Sequence, residues 1–133
     1  MELTEVSLQV LEMERTALDR WGKGDPDGFV EICDPEVVYF DPFLPWPIDG
    51  LDALRQYYSE LRGKIKIDSD EILDPKVQVH GEIAVLTFRF DSRGSDREMH
   101  WNATEVYRLN SDGWRIIHSH WSFTQPKLAG PQS

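Results

Sequence analysis

The sequence has a single cysteine, Cys33, among its 133 residues. No disulfide can form within the chain, so a hydrophobic core has to hold the fold together. Basic clusters are also missing, because 14 lysines and arginines stand against 24 acidic residues and the formal charge is −10. Binding to a nucleic acid needs a basic surface, so this class of partner is excluded.

Long apolar runs are missing as well. No stretch approaches the roughly 18 consecutive apolar residues of a membrane-spanning helix, so no membrane partner is expected. The segment Met1 to Glu5 is acidic where a signal peptide would be basic. With 40% hydrophobic and 29% charged residues, the composition is that of an ordinary globular domain. We therefore expect one cytoplasmic domain comprising residues 1–133, with a core over about residues 6–124.

The first half of the sequence has mainly helical periodicity. Asp25-Pro26 predicts the start of a short second helix that ends at Asp34-Pro35, and Asp49-Gly50 predicts the start of a third. A short strand is expected at Val37–Asp41 between them. Thr4 is the predicted N-cap of the first helix, whose apolar stripe has spacings of three and four and consists of Leu3, Val6, Val10, Met13, Ala17 and Trp21.

From about residue 65 to residue 123 the period becomes that of β-strands, with interruptions that include Asp74-Pro75. Helices followed by a run of strands predict an α+β fold, with three helices packed on one face of a mostly antiparallel sheet. The strand at residues 82–91 is apolar on both faces. We expect a second subunit to cover its outer face and to form a homodimer through Leu86, Phe88 and Phe90.

Glu105 is the one carboxylate in an otherwise apolar row of the strand at residues 98–109. Its partner on the next strand depends on the turn at residues 110–113, because a one-residue slip reverses every side chain. A three-residue loop pairs Asn110 with Trp114 and puts Glu105 opposite Ser119, whereas a two-residue loop puts it opposite His118. Asparagine first and glycine fourth favour the three-residue loop.

Arg89 is the candidate ion-pair partner of Glu105. The hairpin at residues 93–96 is expected to pair Arg89 with Trp101, which leaves Arg89 about 13 Å along the sheet from Glu105. A direct ion pair is too distant in this arrangement. A neutral carboxyl, or one that contacts a ligand, is then the favoured interpretation of Glu105.

His118 and His120 share one strand face, a spacing that occurs in metal sites. A third ligand would have to be His100 on the neighbouring strand, and no carboxylate follows at a motif spacing. The favoured register also puts both histidines on the sheet face opposite to that of Glu105. We therefore expect no metal, and we place both histidines at a subunit interface.

Four segments are informative in their order and spacing: Trp21–Phe29, Tyr39–Pro42, Asp49–Leu51 and Asp112–Ser122. Together they resemble the nuclear transport factor 2-like superfamily. This superfamily includes ketosteroid isomerase, SnoaL-like polyketide cyclases, scytalone dehydratase and the association domain of calcium/calmodulin-dependent protein kinase II. The resemblance covers about residues 6–124 and implies a cone, in which three helices and a curved sheet enclose a pocket, usually in a dimer.

The comparison with ketosteroid isomerase implies roles for two carboxyls. Residues 38–42 resemble the segment that carries the general-base aspartate of that enzyme, which implies Asp41 as a base. Residues 104–108 resemble the strand with a protonated aspartate that donates a hydrogen bond to the enolate, which implies this role for Glu105. The tyrosine that completes the oxyanion site is replaced by Ala17, which argues against steroid isomerisation.

The end of the chain is closer to the kinase association domain, whose pocket gathers arginines for an anionic ligand. Arg89 matches one of these arginines, but Glu105 and Trp121 stand at two others. The resemblance therefore implies a less cationic pocket, and we expect no anionic ligand.

The residues and the resemblance together predict an enzyme without a cofactor that isomerises, dehydrates or cyclises a small, largely hydrophobic carbonyl compound. Asp41, desolvated by the apolar loop after it, would abstract a proton, and Glu105 would donate a hydrogen bond. The absent tyrosine favours the alternative, a non-catalytic domain for ligand binding or oligomerisation. The expected ligand contacts are Tyr39, Trp46, Tyr57, Arg89, Trp101 and Trp121.

Overall fold

The apolar stripe at the start of the chain forms helix α1 (Glu5–Gly22), as its spacing predicts. The predicted N-cap is confirmed, since Thr4 Oγ1 accepts a hydrogen bond from the backbone amide of Ser7 at 3.1 Å. The computed structural model describes residues 4–95 and 97–124, so Leu3 lies outside the described residues. In these two ranges no helix combines the length and the apolar character that crossing a membrane requires.

Two shorter helices and six strands follow α1. The strands form one curved sheet in the order β2-β1-β6-β5-β4-β3, in which only β1 and β6 are parallel neighbours. The predicted α+β cone is confirmed. The elements are α2 (Asp27–Val30), β1 (Cys33–Phe40), β2 (Ile48–Asp49), α3 (Leu51–Leu61), β3 (Ser69–His80), β4 (Ile83–Arg93), β5 (Glu98–Asn110) and β6 (Gly113–Phe123).

Two Asp-Pro steps lie inside strands, where the sequence predicted boundaries. Asp34-Pro35 lies in β1, where the pairing with β6 is irregular between Cys33 and Val38. Asp74-Pro75 lies in β3, where the register with β4 shifts and Asp74 has a φ of 52°. Proline has no amide to donate, so each step interrupts the ladder locally, and the strand continues on the other side.

The predicted pairing of Glu105 with Ser119 is confirmed, but the predicted turn is wrong. Asn110 pairs with Gly113, so the loop has two residues rather than three. The register then shifts between Val106 and Tyr107, because Ile117 is an extra residue on β6. This bulge restores the pairing that the longer loop would have produced.

The predicted register of β4 and β5 is wrong by one residue. Arg89 pairs with Asn102 instead of Trp101, because the loop that connects these strands has four residues. The shift turns every side chain of β4 to the other face. Leu86 and Phe90 are therefore 0% and 2% exposed beneath the helices, and Phe88 is buried beside them. These three residues belong to the core, and their predicted place in a dimer interface is wrong.

The inner face of the sheet and the helices share one hydrophobic core. The outer face of the sheet carries a mixture of half-buried and exposed side chains. Phe40 and His120 stack there, with ring centroids 4.9 Å apart, and Val106 lies at the middle of this face between Val85 and His118. The largest fully buried side chains of the core are Tyr107, Leu18, Leu54, Leu86, Ile116, Glu14, Glu105, Val10 and Val37.

Candidate functional site

A cavity of about 500 Å³ lies between the helices and the inner face of the sheet. This volume is typical of sites for small organic molecules, and aromatic walls favour an apolar ligand body. The lining of the cavity includes Asp41, which follows β1, and the exposed Arg97, which follows β4, so the cavity reaches solvent at the end of the sheet where these strands finish. Its aromatic lining consists of Trp21, Phe29, Tyr39, Phe43, Tyr57, Tyr58, Phe90, Trp101 and Trp121.

Asp41 lies in the cavity wall directly after β1. Its Oδ2 accepts hydrogen bonds from the hydroxyls of Tyr39 and Tyr57 at 2.8 and 2.9 Å. Its Oδ1 accepts a third from the backbone amide of Phe43 at 2.8 Å, which is the local turn typical of aspartate before a proline-rich loop. Three donors therefore hold the carboxylate in one orientation.

The tyrosines around Asp41 remain protonated. Burial raises the pKa of Tyr39 and of Tyr57, and the negative charge of Asp41 raises both further. Tyr58 packs edge-on against Tyr39, with ring centroids 5.6 Å apart, and burial raises its pKa as well. Tyr58 also lines the cavity, and it was not among the ligand contacts that the sequence predicted.

Four of the six predicted ligand contacts line the cavity and two do not. Tyr39, Tyr57, Trp101 and Trp121 are lining residues. Trp46 is 77% exposed, because the proline-rich loop turns it outward and presents Phe43 to the cavity instead.

Arg89 also lies outside the cavity, because the register of β4 places it on the outer face of the sheet. Its guanidinium pairs there with Asp74 at 3.1 Å. The predicted contact of Arg89 with a pocket ligand is therefore wrong.

Glu105 lies beneath the cavity wall and is fully buried, but it is not a lining residue. It shares its site with Glu14 of α1, which is also fully buried and accepts a hydrogen bond from the Tyr107 hydroxyl at 2.7 Å. Among the described residues, neither oxygen of Glu105 has a hydrogen-bond partner. Glu14 was missed in the sequence, although its spacing from Val10 and Ala17 puts it in the middle of the apolar stripe.

Both buried carboxyls favour the protonated form. Burial raises the pKa of Glu105 well above its ordinary value, and the neighbouring carboxyl of Glu14 raises it further. Burial also raises the pKa of Glu14, which the hydrogen bond from Tyr107 partly opposes. Two like charges in one desolvated site are unfavourable, so at least one of the carboxyls retains its proton.

Ala17, the residue that the sequence comparison placed at the position of the oxyanion-site tyrosine, is not a residue of α1 that faces the cavity. Ala17 is buried against α2, where a side chain on Gly28 would approach it within 3.1 Å, and it does not line the cavity. Leu18 is the residue of this turn that lines it. Neither residue has a hydroxyl, so this part of the wall offers no donor to an oxyanion.

Three basic residues that the sequence did not identify as ligand contacts lie at the open end of the cavity. Lys64 and Lys66 belong to the segment between α3 and β3, and Arg97 belongs to the loop between β4 and β5. All three are exposed. Their positions in the sequence did not indicate a shared site, because the two segments come together only when the sheet folds.

His118 and His120 lie on the outer face of the sheet, away from the cavity. Burial lowers the pKa of His118, and the neighbouring His120 lowers it further. Within the described residues, no group of three histidine, cysteine, aspartate or glutamate side chains is placed to hold a metal ion.

We predict that chelator leaves the melting temperature of the purified protein unchanged, because no group of ligands that could hold a metal is found among the described residues. The measurement is thermal unfolding with and without EDTA, together with metal analysis. Stoichiometric zinc that is lost in the His120→Ala variant would contradict this prediction.

The layered cone, with an aromatic cavity under its helices, defines a nuclear transport factor 2-like fold. The chain belongs to the SnoaL-like domain family, whose model matches residues 15–119. The superfamily predicted from the sequence is thereby confirmed.

Several solved structures are similar to the chain. One is a protein from Parabacteroides distasonis proposed to be a ketosteroid isomerase, which is 42% identical with a TM-score of 0.82. The match covers 95% of this chain and 96% of that protein. The CaMKII hub of S. rosetta is 21% identical with a TM-score of 0.72, over 93% of this chain and all of that one, and this likeness concerns the fold alone.

A curated relative is the calcium/calmodulin-dependent protein kinase type II alpha chain of Drosophila melanogaster. It is 28% identical over an aligned length of 130 residues, and the match covers 92% of this chain. The chain spans about a quarter of the length of that relative.

Proposed function

We propose that the protein is an acid–base enzyme without a cofactor, which moves a proton next to the carbonyl group of a small, largely hydrophobic molecule. The observation that carries this proposal is Asp41, an oriented carboxylate in the wall of an aromatic cavity. A carboxylate held in position beside a bound substrate can act as a general base. Similarity to the Parabacteroides protein supports the same chemistry.

In the proposed reaction, Asp41 takes the proton from the carbon next to the carbonyl and later returns it to the same or a neighbouring carbon. Tyr39 and Tyr57 hold the carboxylate in position during both transfers. The enolate oxygen needs a donor on the cavity surface. Tyr58 lines the cavity and stays protonated, so we assign this role to its hydroxyl.

The position of Glu105 favours a different role from the hydrogen-bond donor that its sequence motif implies. A donor has to touch the enolate oxygen, and Glu105 is sealed beneath the cavity wall. We propose that it acts on stability together with Glu14 rather than by contact with substrate.

Hydrogen–deuterium exchange tests the proposed function without knowledge of the natural substrate. 1-Indanone, a flat bicyclic ketone, is incubated with the protein in deuterated buffer, and the loss of its α-proton signal is followed by NMR. Proton removal by Asp41 is expected to accelerate exchange above the buffer rate, with saturation at high ketone concentration. Exchange at the buffer rate, with the ketone bound, would favour a binding domain.

The alternative function is assembly, and the outer face of the sheet supports it. Val106 and His118 are half-buried at the middle of this face, and Phe40 stacks on His120 beside them. Similarity to a kinase chain and to a kinase hub domain is also consistent with oligomerisation. We propose a homodimer through this face, with a set of residues different from the one that the sequence suggested. Assembly is compatible with catalysis in the cavity on the opposite face.

We predict that the protein sediments as a dimer at micromolar concentration and that Val106→Glu makes it monomeric. A carboxylate at the centre of an interface has to be desolvated, which opposes association. Leu8→Glu is the matched control, because Leu8 is 53% exposed on α1 and far from this face. A monomeric wild type, or equal dissociation of both variants, would contradict the proposed interface.

A further inference from the structure

The open end of the cavity concentrates positive charge in a chain that is otherwise acidic. Lys64, Lys66 and Arg97 border this end. Elsewhere, seven arginines form ion pairs with carboxylates of the described residues, but none of those pairs involves these three side chains. The formal charge of the chain is −10, so this cluster creates a locally positive potential in a protein that is negative overall.

The two segments that carry these cations are in direct contact. The Cα of Gly94 approaches the Lys66 carbonyl so closely that an added Cβ would lie 3.1 Å from its oxygen. The Asp68 amide also donates to the Arg93 carbonyl at 2.8 Å, which joins the start of β3 to the end of β4. The backbone therefore holds both lysines and Arg97 at one side of the opening. Ser92 and Ser95 line the cavity on the same side and add two hydroxyl groups.

Asp41 lies on the other side of the opening. It follows β1, and the loop with Arg97 follows β4, with β6 and β5 between these two strands. Three strand spacings of about 4.8 Å give roughly 14 Å along the sheet. The cavity is therefore negative at Asp41 and positive at its far rim, with aromatic walls between. A ligand with one anionic end would be oriented by both charges, because Asp41 repels this end and the far rim attracts it.

We propose that the cavity takes a small organic anion, whose apolar ring system fills the aromatic interior and whose carboxylate or phosphate group is held by Lys64, Lys66 and Arg97. This inference rests on the proposed function and specifies its substrate class. It reverses the expectation of no anionic ligand, which relied on Glu105 and Trp121 standing where the kinase association domain has arginines. The carbon that loses its proton lies at the end of the ligand away from the anionic group, next to Asp41.

Calorimetric titration with matched probes tests the proposal. The probes are 2-naphthoate, its neutral counterpart 2-naphthylmethanol, and 2-naphthyl phosphate, which separates a carboxylate ligand from a phosphate ester. The better anion is expected to bind about tenfold more tightly than the alcohol, since each exposed ion pair contributes modestly. Raising the salt concentration from about 20 mM to about 500 mM should remove most of this preference and leave the alcohol unchanged.

Variants that remove a positive charge test whether Lys64, Lys66 and Arg97 cause the preference for anions over the alcohol. Lys64→Gln/Lys66→Gln and Arg97→Gln should each weaken anion binding severalfold without changing the affinity for the alcohol. The double variant Arg55→Gln/Lys76→Gln removes two positive charges from residues that do not line the cavity and should leave the preference intact.

Equal affinity for the anions and the alcohol, or an equal loss in the double control, would overturn the inference. The proposed function would still stand if exchange of 1-indanone depended on Asp41. Failure of every probe and of 1-indanone to bind would overturn both.

Discussion

Asp41→Asn is expected to slow the exchange of 1-indanone at least about a hundredfold, because the amide keeps the shape of the carboxylate but cannot accept the proton. The side-chain oxygen of the introduced asparagine can still accept a hydrogen bond from Tyr57 or Tyr39, so the cavity and the fold should persist. The measurements are the saturating exchange rate and the dissociation constant for the ketone. A loss confined to the exchange rate identifies Asp41 as the base rather than as a binding group.

Two matched variants make this result specific. Tyr57→Phe removes one of the donors to Asp41 and should lower the exchange rate by a smaller factor, because Tyr39 and the Phe43 amide still orient the carboxylate. Asp49→Asn changes an exposed carboxylate close by in the sequence and should have no effect. Full exchange activity in Asp41→Asn would show that the assignment of the base is wrong.

The helices and the general fold were predictable because their signals are local. The stripe of α1 repeats over five turns, and Thr4 and Gly22 delimit it. The wide spacing of turn residues likewise predicted the β-rich second half. In contrast, the Asp-Pro steps in β1 and β3 resembled strand ends, because a proline interrupts hydrogen bonding in the same way at a boundary and within a strand.

The strand registers show why the site was only partly predictable. A three-residue turn and a two-residue turn followed by a bulge at Ile117 both place Ser119 opposite Glu105. The pairing was therefore predicted correctly although the predicted turn was wrong. For β4 no second irregularity compensated, and one additional loop residue moved Arg89 from the cavity to the outer face. Register is a property of two strands, and neither strand alone specifies it.

Residues that meet only in the folded chain were the hardest to predict. Lys64 and Arg97 are separated by two strands in sequence but border one opening. Glu14 is a different case, since its position in an apolar stripe was visible and only its partner was not. A polar residue within such a stripe is therefore a signal to look for a second buried group on the facing sheet.

Glu105→Gln is expected to remove a pH dependence of folding stability that is unusual in its sign. The folded-state pKa of Glu105 lies above its pKa in the unfolded chain, which for glutamate is about 4.3. The folded protein keeps a proton that the unfolded chain loses, so this stability is fully present below the unfolded pKa. It is then lost as the pH rises towards the folded pKa, by about 1.4 kcal/mol per pH unit for one proton.

Urea unfolding at about pH 4 and about pH 7 measures this effect, because the unfolded chain releases the proton between these two pH values and the free energy of unfolding of the wild type should fall. Glutamine cannot ionise and resembles the protonated carboxyl in shape, so Glu105→Gln should match the wild type at the lower pH and exceed it at the higher one. Glu14→Gln should show a smaller effect, since the Tyr107 hydroxyl stabilises the charge of Glu14.

The control and the exchange assay complete this prediction. Glu12→Gln alters an exposed carboxylate on α1 and should leave the pH profile unchanged. If Glu105 acts only through stability, Glu105→Gln should retain an exchange rate within about threefold of the wild type, because it contacts no ligand. A hundredfold loss of exchange with an unchanged pH profile of stability would instead restore the donor role that the sequence motif implied. In that case Asp41 would act as the base and Glu105 as the hydrogen-bond donor. If instead Glu105 acts only on stability together with Glu14, Asp41 is the only one of these carboxyls that takes part in the proton transfer.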